Sequence, residues 1–148
     1  MLAMELELDV TDIKWAKEFL KKTDFLSQLT DQEITSLIYK INKITFQKGK
    51  TILFKGEFSN RLFIVKSGQV GIFISKEGKK EKVAELKENS YFGEVSLVHP
   101  VPASATVVAE NDCEILILEK EVLDDVFKNN PAALETIHKK IEERKKPQ

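Results

Sequence analysis

Cysteine is nearly missing from this chain of 148 residues, with Cys113 its single example. That count excludes an internal disulfide and an all-cysteine metal cluster. Histidine is almost as scarce. His99 and His138 stand alone, so one chain cannot assemble a three-histidine zinc site, and their separation is unlike the His-x-His spacing of metal-binding barrels. No apolar run approaches the roughly 20 residues that cross a bilayer, so no membrane partner is expected. The opening segment, Met1 to Val10, carries Glu5, Glu7 and Asp9 and no lysine or arginine, unlike the basic start of a secretory signal. An excess of charge is missing too. A net charge of −1 with 32% charged residues gives no general attraction to DNA or RNA. The dense basic block Lys139-Lys140 and Arg144-Lys145-Lys146 is interrupted by Glu142 and Glu143, as in a solvated helix face. With neither metal ligands nor a nucleophile beside a base, the chain is expected to be a non-enzyme without a cofactor. Its expected compartment is the cytoplasm, with Cys113 a half-buried structural thiol.

What remains is 42% hydrophobic, enough for one core in a single domain, 1–148. Its texture changes twice. In the N-terminal part, 1–43, Ile13, Ala16 and Leu20 recur at helical spacing, with Trp15 and Phe19 widening the stripe. They predict a helix over 11–22, capped by Thr11, with Asp12 at its positive end. Ile34, Leu37, Ile38 and Ile41 predict a second helix over 31–42, capped by Thr30 or Asp31, with Glu33 at capping-box distance from Thr30. From 44 to 118, short runs rich in Ile, Val, Phe and Thr alternate with glycine turns, the pattern of an antiparallel β-barrel or jelly roll. Glu77-Gly78-Lys79-Lys80 is the clearest hairpin turn. From 119 to 148 helical spacing returns, first through Val122, Leu123, Val126 and Phe127. A last helix then starts at Pro131, a residue favoured at a first helical position. Leu134, Ile137 and Ile141 on that helix are spaced for a homodimer seam, or for folding back onto the chain's own body.

The most informative stretch is Phe92 to Val107, FGEVSLVHPVPASATV. A glycine lets backbone approach a ligand closely, and successive N–H groups at the start of a helical turn suit an anion. Ser104 can donate to an acceptor oxygen, and Glu94 can accept from a hydroxyl. The segment resembles the phosphate-binding cassette of cyclic-nucleotide-binding domains, as in catabolite-activator-like regulators and protein kinase A regulatory subunits. Phe92, Gly93, Glu94, Val95, Ser96 and Leu97 fit its first half, and Ser104, Ala105, Thr106 and Val107 its end. The likeness extends to Phe25–Glu33, to Lys48-Gly49 with Ile52, Phe54, Gly56 and Glu57, and to Leu62–Val65 with Ser67-Gly68. It implies a double-stranded β-helix fold and a ligand, cyclic AMP or cyclic GMP, held by Gly93, Glu94, Val95, Ser96, Ala103, Ser104 and Ala105. Glu94 takes the ribose role in that likeness.

Two positions depart from the family pattern. The arginine that pairs with the cyclic phosphate is replaced by Ala103, and the Gly-Asp pair before the cassette is Asn89-Ser90. Asparagine tolerates a left-handed backbone, so the turn can survive the exchange. Lys66 and Arg61 are the neighbouring-strand cations with a chance of reaching the site. The resemblance therefore implies a regulatory sensor module with weakened or altered binding of cyclic nucleotide or a related small anion. The alternatives are a ligand-independent interaction domain of the same fold, or a fragment of a longer regulator. A helix-turn-helix regulator needs several more helices, whereas Met1-Leu2-Ala3-Met4 reads as a start, which favours a complete small protein.

Overall fold

The protein is described by a computed structural model covering residues 4–97 and 101–145. Two antiparallel sheets form a jelly-roll sandwich with helices packed on one side. Strands β1 (Met4–Glu7), β2 (Asn42–Phe46), β4 (Arg61–Ser67), β7 (Tyr91–Phe92) and β9 (Cys113–Glu119) make one sheet, ordered β1-β2-β9-β4-β7. Strands β3 (Thr51–Leu53), β5 (Val70–Lys76), β6 (Lys79–Leu86) and β8 (Thr106–Ala109) make the other, ordered β3-β8-β5-β6. The jelly roll is as expected, but the sheets do not close into a barrel. β6 is solvent-exposed along almost its whole length and lysine-rich, which discourages a further strand from adding at that edge.

The centre of the larger sheet is buried on both faces. Leu62 and Ile64 of β4 and Leu116 and Leu118 of β9 face the helices. Phe63, Val65, Ile115 and Ile117 face the second sheet. Alternating side chains point to opposite sides of a strand, so two apolar surroundings require the continuous runs Leu62–Val65 and Ile115–Leu118. In the β5–β6 hairpin the register Lys76↔Lys79 leaves Glu77 and Gly78 as a two-residue turn. Their φ values of 53° and 78° match the primed turns that suit twisted strands.

The helices are α1 (Val10–Lys22), α2 (Asp31–Ile38), α3 (Lys120–Phe127) and α4 (Pro131–Lys145). Asp9, not Thr11, caps α1, in a capping box closed by Asp12. Thr30 caps α2 with Glu33, as expected. α2 stops at Ile38, earlier than periodicity suggested, because the chain must enter β2 at Asn42. On α4, Ile137 and Ile141 are buried in the chain's own core beside Leu26, Leu97 and Leu123. Leu134 alone of the expected dimer seam is exposed, at 39%. The stripe is used in folding back onto the body, because the turns at Asp24–Leu26 and Glu94–Leu97 offer it an apolar seat. Cys113 is more deeply buried than expected, and burial pushes its thiol pKa up.

A buried ion cluster ties α1 to the sheet. Lys43 Nζ lies 2.8 Å from Asp12 and 3.2 Å from Glu114, and Lys66 Nζ lies 3.2 Å from Asp12. Burial alone would push the Asp12 carboxyl up. Hydrogen bonds from Lys43, the Asp9 amide and Lys66 outweigh it and hold the group below the usual carboxylate range. Glu114 is likewise lowered against burial by Ser67 and the two lysines. Because folding depresses both carboxyl pKa values, the cluster's contribution is present above about pH 4, the unfolded range, and is lost as pH falls through the folded values. Lys66 still faces both carboxylates in a Lys43→Met variant, so its cost at neutral pH should be about 1.5–3 kcal/mol, and the difference from wild type should shrink below about pH 4. Urea unfolding across pH checks this. A deficit that is constant with pH would contradict the role given to the cluster.

Candidate functional site

The cassette is hung on β4 at three points. Asn89 adopts φ 74°, so the left-handed turn does survive the loss of glycine. The Asn89 amide donates to the Val65 carbonyl at 3.0 Å, and the Val65 amide donates to the Ser90 carbonyl at 2.9 Å. β7 then pairs with β4, and the rings of Phe63 and Phe92 stack with centroids 4.9 Å apart. Gly93 follows at φ 86°, where an added Cβ would lie 2.7 Å from the Arg61 carbonyl oxygen. Only glycine combines that backbone angle with that approach. The chain next makes one 3-10 turn, Glu94–Leu97, whose last side chain enters the helical core.

The returning limb is held by the segment after β3. Phe58 and Pro102 form an isolated antiparallel bridge. The Ala103 amide donates to the Glu57 carbonyl at 2.9 Å, and the Gly56 amide donates to the Ala103 carbonyl at 2.8 Å. Both backbone groups of Ala103 are thereby engaged, while its side chain packs against the inter-sheet core.

Between the two limbs lies a cavity of about 510 Å³. Gly93, Glu94, Ala103, Ser104 and Ala105 line it, so the fold brings these five expected residues together. Val95 and Ser96 lie on the 3-10 turn by their backbone, and their side chains, like His99 and Pro100, lie outside the described residues. Leu53, Ile72, Phe92, Val101, Pro102 and Val107 complete the lining. The first two were not singled out in the sequence. Their signal was only strand alternation, which does not tell which sheet face meets a cavity.

Among the described lining residues there is no lysine or arginine, and Glu94 is the one charged side chain. Lys66 is engaged with Asp12 in the buried cluster, and Arg61 Nε lies 2.9 Å from Glu119. Neither neighbouring cation lines the cavity. Nor do the described residues hold a group of three His, Cys, Asp or Glu side chains suited to a metal. The site offers a carboxylate, a hydroxyl and apolar walls.

Residues 43–130 match the family model described as cyclic nucleotide-binding domain. The chain belongs to the cyclic nucleotide-binding domain family. A cAMP-dependent protein kinase regulatory subunit from Yarrowia lipolytica is 31% identical over 121 residues, covering 76% of this chain. The chain spans 32% of that subunit's length. Among solved structures, a cyclic nucleotide-binding domain from Methylobacillus flagellatus superposes with a TM-score of 0.80 at 16% identity, covering 96% of this chain and 82% of its own. The regulatory domain of Toxoplasma gondii PKA, co-crystallised with cAMP, gives 0.76 at 19% identity over 81% of this chain and 46% of its own. At these identities the likeness is one of fold. In this member of the family the cassette runs across β4 with Gly93 against the Arg61 carbonyl.

Gly93→Ala tests that course. The strained backbone and the clash with the Arg61 carbonyl should lower stability by about 1–3 kcal/mol, read by thermal or urea unfolding. An alanine tolerated without loss would show that the cassette does not depend on this approach.

Proposed function

We propose that the protein is a regulatory sensor module of the cyclic-nucleotide type, without catalysis of its own, in which binding of cyclic AMP or cyclic GMP is weakened by Ala103. The roles assigned to Gly93, Glu94, Val95, Ser96, Ser104 and Ala105 are those of a ligand pocket. The observation that carries this is the single cavity formed by the two cassette limbs, with no lysine or arginine among its described lining residues. A guanidinium on a phosphate is a charge-assisted, often bidentate contact. Hydrogen bonds to charged groups contribute roughly 1.5–3 kcal/mol, so its loss weakens binding about ten- to hundredfold. The same missing charge favours, as the alternative, a ligand-independent interaction domain of this fold. A cytoplasmic setting fits a lone buried thiol. Any homodimer would have to form without Ile137 and Ile141, which the core already holds. No helix among the described residues is long and apolar enough to cross a membrane.

Calorimetric titration with cyclic AMP and cyclic GMP, beside Ala103→Arg, tests the proposal. The two hydrogen bonds that fix the backbone at 103 present its side chain to the cavity. The variant should therefore bind at least about tenfold more tightly. No gain in affinity would mean that the position does not address a phosphate, and would favour the ligand-independent alternative.

A further inference from the structure

The missing cation has a consequence for what the cavity prefers. A ligand that brings a negative charge into it loses hydration and meets no described lysine or arginine in return, a poor exchange for any ion leaving water. The 3-10 turn at Glu94–Leu97 has only four residues, too short for its aligned peptides to replace a guanidinium. The one charged group among the described lining residues, Glu94, is a carboxylate and supplies no positive charge to an anion. The walls contributed by Leu53, Ile72, Phe92 and Val107 are apolar. Beside them, Phe54 and Phe58 are 59% and 70% exposed, on the segment whose backbone clamps Ala103 and Pro102. Exposed aromatic rings on the segment that holds one limb of the cavity are apolar surface without a covering partner among the described residues. The volume, about 510 Å³, is within the range of small-molecule sites.

We infer that this cavity takes an uncharged small molecule with an apolar body and at least one hydroxyl, the hydroxyl addressing Glu94 or Ser104, in preference to the anionic cyclic nucleotide. The inference rests on the proposed role of the cassette cavity as a ligand site. It goes further by reversing the order of preference between neutral and anionic ligands.

Adenosine and cyclic AMP make the comparison. They share base and sugar, and the cyclic phosphate adds one negative charge. Both are titrated calorimetrically into the full chain at pH 8, where histidines of ordinary pKa, about 6.5, are neutral. The uncharged fluorophore N-phenyl-1-naphthylamine serves as a third probe, and its displacement by adenosine places both in one site without relying on any variant folding. The expected result is that adenosine binds at least as tightly as cyclic AMP and displaces the fluorophore. Ala103→Arg should then reverse the order, favouring cyclic AMP by about tenfold. Wild-type protein that binds cyclic AMP about tenfold more tightly than adenosine overturns this inference and leaves the cyclic-nucleotide role standing. If neither adenosine nor the fluorophore binds, while Ala103→Arg gains cyclic AMP, the inference again fails alone. If no probe binds either protein, both the inference and the proposed sensor role fail.

Discussion

Strand β4 has no side that faces water along its centre, and the site depends on that constraint. Leu62 and Ile64 are buried against the helices, Phe63 and Val65 against the second sheet. A strand fixed from both faces is a rigid mount. The cassette attaches to it through Val65, the Phe63–Phe92 stack and the approach of Gly93 to Arg61. Burial of one large aliphatic side chain contributes about 1.5–3 kcal/mol, so the packing at four consecutive positions exceeds any single polar contact in the pocket. The frame of the site is thus maintained by the core, independently of what the pocket binds.

The distribution of cations follows the same logic. Lys43 and Lys66 are partners of Asp12 and Glu114 beneath α1. Drawing either lysine away would break its contacts with both carboxylates, each worth roughly 1.5–3 kcal/mol. A charge-assisted phosphate contact offers roughly 1.5–3 kcal/mol. The stronger demand wins, and these lysines do not move to the pocket. Apolar walls can supply a contribution of the same size: each ~100 Å² of apolar ligand surface buried at ~25 cal/mol/Å² contributes about 2.5 kcal/mol. The two terms are of one size, so exchanging charge for apolar contact changes ligand class without requiring a weaker site.

Local chemistry in the sequence predicted the parts of this structure that local chemistry decides. The Thr30–Glu33 capping box and the Glu77-Gly78 turn were legible, because each is set by neighbours in the chain, whereas the burial of β4 and β9 on both faces shows only in the fold. The cassette residues were legible as a group through their family pattern. Contacts between distant elements were not. Asp12 reads as a helix-start acid, and only the fold reveals Lys43 and Lys66 around it. The seam of Leu134, Ile137 and Ile141 has the same spacing whether it meets a second copy or its own core, and the apolar seat beneath it decides. Strand β1 lies in a short acidic segment whose pairing with β2 supplies its structure. Sheet closure was illegible too, since it depends on edge positions and not on periodicity.

Among the described residues that line the cassette cavity, none is a lysine or arginine that could pair with a phosphate. Electrostatic attraction between a ligand anion and a protein cation weakens as salt shortens the screening length. The direct measurement is the salt dependence of cyclic AMP binding, followed by NMR through the backbone amide shifts of Gly93 and Ser104, which remain readable for a weak ligand. The dissociation constant should stay nearly level from low to high salt. A dissociation constant that rises steeply with salt would show a cation at the phosphate and contradict the account.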